Sequence, residues 1–171
     1  HFAEVTLAGL KKEQRFKLYW ESLVLALPHG ARPIPLGIKI PVEGVPPEIA
    51  PWLRASWCCD ADDPAIRKAA EEIRNGRATA DALVPALIER LSAILRGANG
   101  RVSNLTASEA MTKAGSCTSN ANLAAALFRA CGMPARVIAG YPTWSGPLQT
   151  HYVVEYWLPG PGWRLMESTL C

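Results

Sequence analysis

Gly115-Ser116-Cys117-Thr118-Ser119-Asn120-Ala121-Asn122-Leu123-Ala124-Ala125-Ala126-Leu127-Phe128-Arg129-Ala130-Cys131-Gly132-Met133-Pro134 is the stretch on which the fold turns. From Ala121 to Phe128 it is apolar nearly all the way round a helical wheel. A helix of that kind is stable only in the centre of a domain, where other elements cover each of its sides. Gly132 and Pro134 supply the stop, because glycine takes the left-handed backbone of a helix end and proline cannot continue the ladder. The spacing predicts a central helix from about Cys117 to Cys131.

The cover has to come from the flanking sequence. Upstream, Asp62-Asp63-Pro64 sets a capping carboxylate before a proline at the first helical position, and a helix is expected from Ala65 to about Asn75, stopped by Gly76. A second helix is expected from Thr79 to near Gly97, with Leu83, Leu87, Ile88, Leu91, Ile94 and Leu95 at helical spacing and Pro85 inside it. A short helix opening at Ser108-Glu109 is expected to end at Gly115. Downstream, Ala135–Tyr141, His151–Leu158 and Trp163–Thr169 are β-branched or aromatic runs between turn residues, the last two joined through Pro159-Gly160-Pro161-Gly162. Helices followed by a small antiparallel sheet make an α+β domain.

Further out, prolines recur from Pro28 to Pro51, which forbids a long helix and reads as extended chain wrapped over a domain, with an edge strand at Ile38–Val42. Residues 1–51 are therefore taken as an N-terminal extended, Pro-rich segment and residues 52–171 as the core domain. With 171 residues, 49% apolar and 19% charged, the chain is long enough for one packed core and too apolar for disorder. A net charge of +3, spread along the chain, is no nucleic-acid signature. The uncharged apolar run Leu23–Leu27 is far too short to span a bilayer. No targeting signal is visible, so the compartment stays open between cytoplasmic and exported, and a first residue His1 suggests a processed piece.

Five cysteines, an odd number, leave at least one thiol free or paired outside the chain. They show no C-x-x-C spacing, and with three histidines they make no usual zinc pattern. Cys117 differs from the others in opening the central helix. A helix N-terminus carries about half a positive charge and free N–H groups, which favour a thiolate and can stabilise an oxyanion on a bound acyl group. The bland alternative is a small buried thiol at a tight turn.

His151 opens the strand His151–Leu158 and could take the thiol proton and return it to a leaving group. His1, at a chain end, and His29, in a Pro/Gly turn, are weaker rivals. Glu167 could accept a hydrogen bond from the imidazole, provided that the hairpin puts both on one face. Strand alternation groups His151 with Val153, Glu155 and Trp157. If Leu158 pairs with Trp163, Glu167 faces away; if Trp157 pairs with Trp163, Glu167 opposes Val153 and lies diagonally from His151, about 7 Å off between backbones. The second register is predicted, with a five-residue connection from Leu158 to Gly162 or an equivalent bulge. Glu155 is the fallback acid.

These pieces together resemble the transglutaminase-like superfamily. The carriers are Gly115-Ser116-Cys117, Ala121-Asn122-Leu123, Leu127-Phe128-Arg129-Ala130-Cys131-Gly132-Met133-Pro134-Ala135-Arg136-Val137 and Gly140-Tyr141, then the His151 strand and Pro159–Thr169, with Trp52–Ser56 and Asp60–Ile73 as a lead-in. The resemblance spans roughly residues 52–169. It implies a papain-like α+β core with Cys117 as nucleophile, His151 as base and acid, and Glu167 as the orienting acid. It implies no metal or organic cofactor, and a peptide or protein substrate carrying an amide. Three positions depart from the family pattern: the acid is usually aspartate, Tyr152-Val153 stand where a small residue and tryptophan usually follow the histidine, and the chain stops soon after Glu167 where family members commonly continue.

Acyl transfer through a thioester on Cys117 is the leading expectation, most of all hydrolysis of the protease, amidase or deamidase type. Amine incorporation, as in a crosslinking transglutaminase, is the alternative, and a non-catalytic binding domain that keeps the fold is another. Tyr141, Trp144 and Gln149 are candidates to line the acyl groove, against a reading in which Trp144 only packs its loop. Cys131 is assigned to the core, Cys58-Cys59 to packing rather than a strained vicinal disulfide, and Cys171 to the chain end. Asn104-Leu105-Thr106 fits a glycosylation triplet, a pattern common by chance.

Overall fold

In a computed structural model, residues 33–102, 104–140 and 150–169 are described; all belong to one compact unit, Pro33–Cys171. After a 3₁₀ turn at Ala50–Leu53 come α1 (Pro64–Arg74), α2 (Ala80–Gly97), β1 (Asn99–Val102), α3 (Ala107–Ala110), β2 (Lys113–Gly115), α4 (Cys117–Ala130), β3 (Ala135–Gly140), β4 (His151–Leu158) and β5 (Gly162–Met166). The three last strands form an antiparallel sheet in the order β3-β4-β5. This is the helices-then-sheet arrangement that the sequence predicts.

α4 is the hub. Ala121 and Leu123 to Phe128 have no exposed surface, because α1 and α2 cover one side of the helix and β3 and β4 the other. The helical cover is Ile66, Ala69, Ala70 and Ile73 from α1 with Leu83, Leu87 and Leu91 from α2. From the sheet come Val154, Tyr156 and Leu158, and Phe128 stacks on Tyr156 with ring centroids 4.8 Å apart. Burying each such side chain stabilises the fold by about 1.5–3 kcal/mol.

The helix ends follow the expected chemistry. Asp63 caps α1 by accepting from Ala65 N–H at 2.8 Å, ahead of Pro64 at the first position. α2 runs through Pro85, which cannot donate to the carbonyl one turn back. α4 closes in a Schellman turn: Gly132, at φ +85°, donates to Arg129 and Met133 donates to Phe128.

Two short strands were not anticipated. The stretch before Gly115 is not one helix: α3 stops at Ala110 and Lys113–Gly115 forms β2, parallel to β1. The described part of the Pro-rich stretch, from Pro33 on, packs against the helices. Ile40 N–H donates to Ala78, Val42 N–H donates to Gly132, and Ile40 and Val42 join the core, while Lys39 makes a single antiparallel bridge to Thr79 rather than part of a strand.

Candidate active site

The helix start on which Cys117 stands is tightly built. A Cβ on Gly115 would lie 2.2 Å from Ser119 Cβ, so only glycine lets β2 turn this closely into α4. Ser116 is the N-cap residue but makes no side-chain capping bond, so its hydroxyl satisfies none of the first-turn N–H groups. Ser119 Oγ accepts from Leu105 N–H at 3.0 Å and Asn122 Nδ2 donates to Leu105 O at 3.1 Å, tying the strand-connecting chain to the helix. Among the described residues, the buried atoms Ser116 Oγ and Asn120 Oδ1 have no hydrogen-bond partner. Cys117 itself is half-buried.

The hairpin adopts the register on which the acid depends. Trp157 pairs with Trp163 and Val154 with Met166, so Glu167 follows one residue beyond the end of β5, towards Val153. Leu158 still pairs with Gly162, which makes the connection three residues, Pro159-Gly160-Pro161, rather than five. Gly160 at φ +85° and Gly162 at φ +76° take the left-handed backbone that a turn this short needs. Glu167 Oε2 then lies 2.7 Å from His151 Nε2, and Glu167 Oε1 accepts from Thr169 N–H at 2.8 Å. Burial pushes the Glu167 carboxyl up, but the hydrogen bonds from His151 and Thr169, with the charge of the imidazole, together bring it below the usual glutamate range. The Thr169 N–H support was not anticipated; its signal is the two-residue spacing at which a side-chain acceptor meets a backbone donor.

Glu155, the other candidate acid, is held elsewhere. Its Oε2 accepts from Arg136 Nε at 2.8 Å and Nη2 at 2.7 Å, and the Arg136 guanidinium lies 4.1 Å from the Trp163 ring centroid. Trp52 meets Trp163 edge-on at 6.4 Å.

The chain path fixes the direction of α4 against the sheet. α4 reverses at Gly132 into β3, and β3 is antiparallel to β4, so α4 and β4 run the same way. From the stacked Phe128 and Tyr156, eleven helical residues back to Cys117 and five strand residues back to His151 each cover about 16 Å. Val154, Tyr156 and Leu158 share the buried face of β4, and His151, the first residue of the strand, lies on the alternate face.

The remaining thiols divide as the sequence suggested. Cys58, Cys59, Cys117 and Cys131 are all unbridged, so no vicinal disulfide joins Cys58 to Cys59. Burial pushes Cys131 up to about 12. Burial also raises Cys59, against the opposing pull of the Arg129 charge, and its Sγ lies 3.8 Å from Asn122 Oδ1. Both are placed for packing rather than reaction. Tyr141, Trp144, Gln149, Cys171, His1 and His29 lie outside the described residues. Among the described residues, no three His, Cys, Asp or Glu side chains gather where they could hold a metal ion, and no helix is long and apolar enough to cross a membrane.

The chain is 34% identical over 128 residues to a protein-glutamine gamma-glutamyltransferase of Pseudomonas aeruginosa, covering 63% of this chain but only 18% of that protein. Among solved structures, a Cytophaga hutchinsonii protein provisionally named a cysteine protease superimposes with a TM-score of 0.63 at 25% identity, over 77% of this chain and 45% of that one. The periplasmic domain of TgpA from P. aeruginosa, bound to ethylmercury, superimposes with a TM-score of 0.56 at 27% identity, over 74% of this chain and 50% of that one. The transglutaminase-like superfamily model matches residues 67–168, more than half of the chain, from within α1 to beyond β5. This chain therefore belongs to the transglutaminase-like superfamily.

Proposed function

We propose that the chain catalyses acyl transfer on amide bonds of peptides or proteins through a thioester on Cys117, resolved by water. The observation that carries this reading is the 2.7 Å bond between His151 Nε2 and Glu167 Oε2. With Glu167 accepting from Nε2–H, the neutral imidazole keeps its lone pair on Nδ1 for the thiol proton. The thiolate attacks the amide carbon, and the first-turn N–H groups of α4 face the oxygen that gains charge. His151 passes its proton to the nitrogen as the C–N bond breaks, releasing ammonia or an amine. It then takes a proton from water as water attacks the thioester, and Cys117 leaves with that proton restored.

The second reading replaces water by a substrate amine, giving a crosslink; the glutamyltransferase name of the P. aeruginosa relative favours it. Both readings share the thioester, so one assay separates them. A protein substrate rich in glutamine is incubated with and without a primary amine, and ammonia and incorporated amine are both measured. Ammonia release unaffected by the amine supports hydrolysis; amine incorporation in step with ammonia supports transfer. A thiol-directed electrophile built on a glutamine-like amide is expected to label Cys117 alone. Labelling at Cys58 with Cys117 untouched would overturn the site, and no labelling with no turnover would leave the binding-domain reading in its place.

A further inference from the structure

A cavity lies at the other end of α4 from Cys117. It measures 510 Å³, within the range of small-molecule sites, and is lined by Leu53, Arg54, Asp62, Arg67, Glu71, Arg74 and Arg129 among others. Four guanidinium groups thus face two carboxylates. Among the described residues, none of Arg54, Arg67, Arg74 and Arg129 forms an ion pair with Asp62, Glu71 or any other acid.

Arg129 is the informative member. It is only 7% exposed, and burial works against its charge. Nε donates to Ala135 O at 2.9 Å, and Nη1 donates to Arg54 O at 2.9 Å and Ser56 Oγ at 3.0 Å. Nothing among the described residues accepts from Nη2. A buried charge is ordinarily matched by an opposite one, and a planar fork with one free prong is the shape that an oxyanion completes. Arg67 and Arg74, seven residues apart on α1, share one helix face about 10 Å apart and can flank the same ligand.

We propose that this cavity binds a small polyanion carrying carboxylate or phosphate groups, with one oxyanion on Arg129 Nη2 and the others on Arg67 and Arg74. The site is separate from Cys117, some 18 Å away along α4, and stands whether or not the thioester reading holds. Asp62 and Glu71 limit its strength and favour a ligand with more than one negative group.

Calorimetric titration of the full chain at low salt with pyrophosphate, citrate and inorganic phosphate tests this. Pyrophosphate or citrate is expected to saturate one site, with inorganic phosphate weaker and added salt weakening all three. Preference for pyrophosphate identifies a phosphate ligand; preference for citrate identifies a carboxylate. The exposed double substitution R67Q/R74Q is expected to keep the melting temperature and weaken binding by about tenfold or more. D62N, which removes a competing carboxylate, is expected to tighten it. No saturable binding of any of the three, or an R67Q/R74Q affinity equal to the parent's, would overturn the proposal.

Discussion

At its C-terminal end α4 is capped and anchored: Phe128 stacks on Tyr156, Gly132 and Met133 donate to the carbonyls of Arg129 and Phe128, and Arg129 Nε and Nη1 donate to two backbone carbonyls and a serine. At its N-terminal end the same helix begins on a half-buried thiol, without a side-chain cap, with Ser116 Oγ and Asn120 Oδ1 left without partners among the described residues. The chain itself caps the backbone at one end, and at the other the helix start lacks a side-chain cap. That difference is what a helix needs if one end anchors a fold and the other meets a substrate.

The sharpest way to break this contrast is to alter one end and ask whether the other responds. Cys117→Ala is expected to lower acyl-transfer turnover on the order of 10⁴-fold or more, since a missing nucleophile leaves only binding and oxyanion contacts. Its stability should stay within about 0.5 kcal/mol of the parent, because little packing depends on a half-buried thiol. Retained turnover in that variant would remove Cys117 from the chemistry. Phe128→Ala is expected to show the reverse: a loss of about 3–5 kcal/mol of stability and of about 10 °C in melting temperature, with turnover per folded molecule preserved.

The anchored half was the more legible from sequence, for a physical reason. An apolar surface all round a helix, ending in Gly132-Met133-Pro134, admits few arrangements, so α4 and the order of its covering elements follow from Ala121–Phe128. The register of β4 and β5 was legible too, because a one-residue slip would have turned Glu167 away from His151. The strands β1 and β2 were not. Strands of four and three residues show no periodicity, and Asn99, Gly100, Lys113 and Gly115 are poor strand formers, so only tertiary pairing defines them. α3 was read as too long because Gly115 looked like its stop, whereas the capping box of Thr106 and Glu109 marks its true start. The unmatched Nη2 of Arg129 was also illegible, since burial of that side chain depends on Arg54, Ser56 and Ala135 converging from distant parts of the sequence.

Two glycines test the contrast at equal chemical cost. Gly115→Ala sets a Cβ 2.2 Å from Ser119 Cβ, and Gly132→Ala puts one 2.6 Å from Pro41 Cβ while holding alanine at φ +85°. Each is expected to lose about 1–3 kcal/mol. Their catalytic effects should differ. Gly115→Ala has to displace the first turn of α4, so turnover per folded molecule falls, whereas Gly132→Ala leaves it unchanged. Equal loss of turnover in the two variants would mean that the helix start is no more sensitive than its end.

The smallest effect concerns the acid. The folded-state pKa of Glu167 is depressed, so between that value and the unfolded one of about 4.3 the unfolded chain binds more protons. The contribution of Glu167 to stability is therefore complete above the unfolded value and lost as pH falls through the folded value. With a side chain 24% exposed, the net gain of its hydrogen bonds is about 1 kcal/mol. Glu167→Gln can keep a hydrogen bond to the imidazole but cannot ionise, so its melting temperature should show a shallower decline than the parent's in acid. At neutral pH the same variant lowers turnover, since a neutral amide does not stabilise the imidazolium that forms during acyl transfer. A parent and variant with superimposable acid limbs but unequal turnover would assign Glu167 to catalysis alone. Equal turnover with unequal acid limbs would leave it a structural prop of the β4–β5 end.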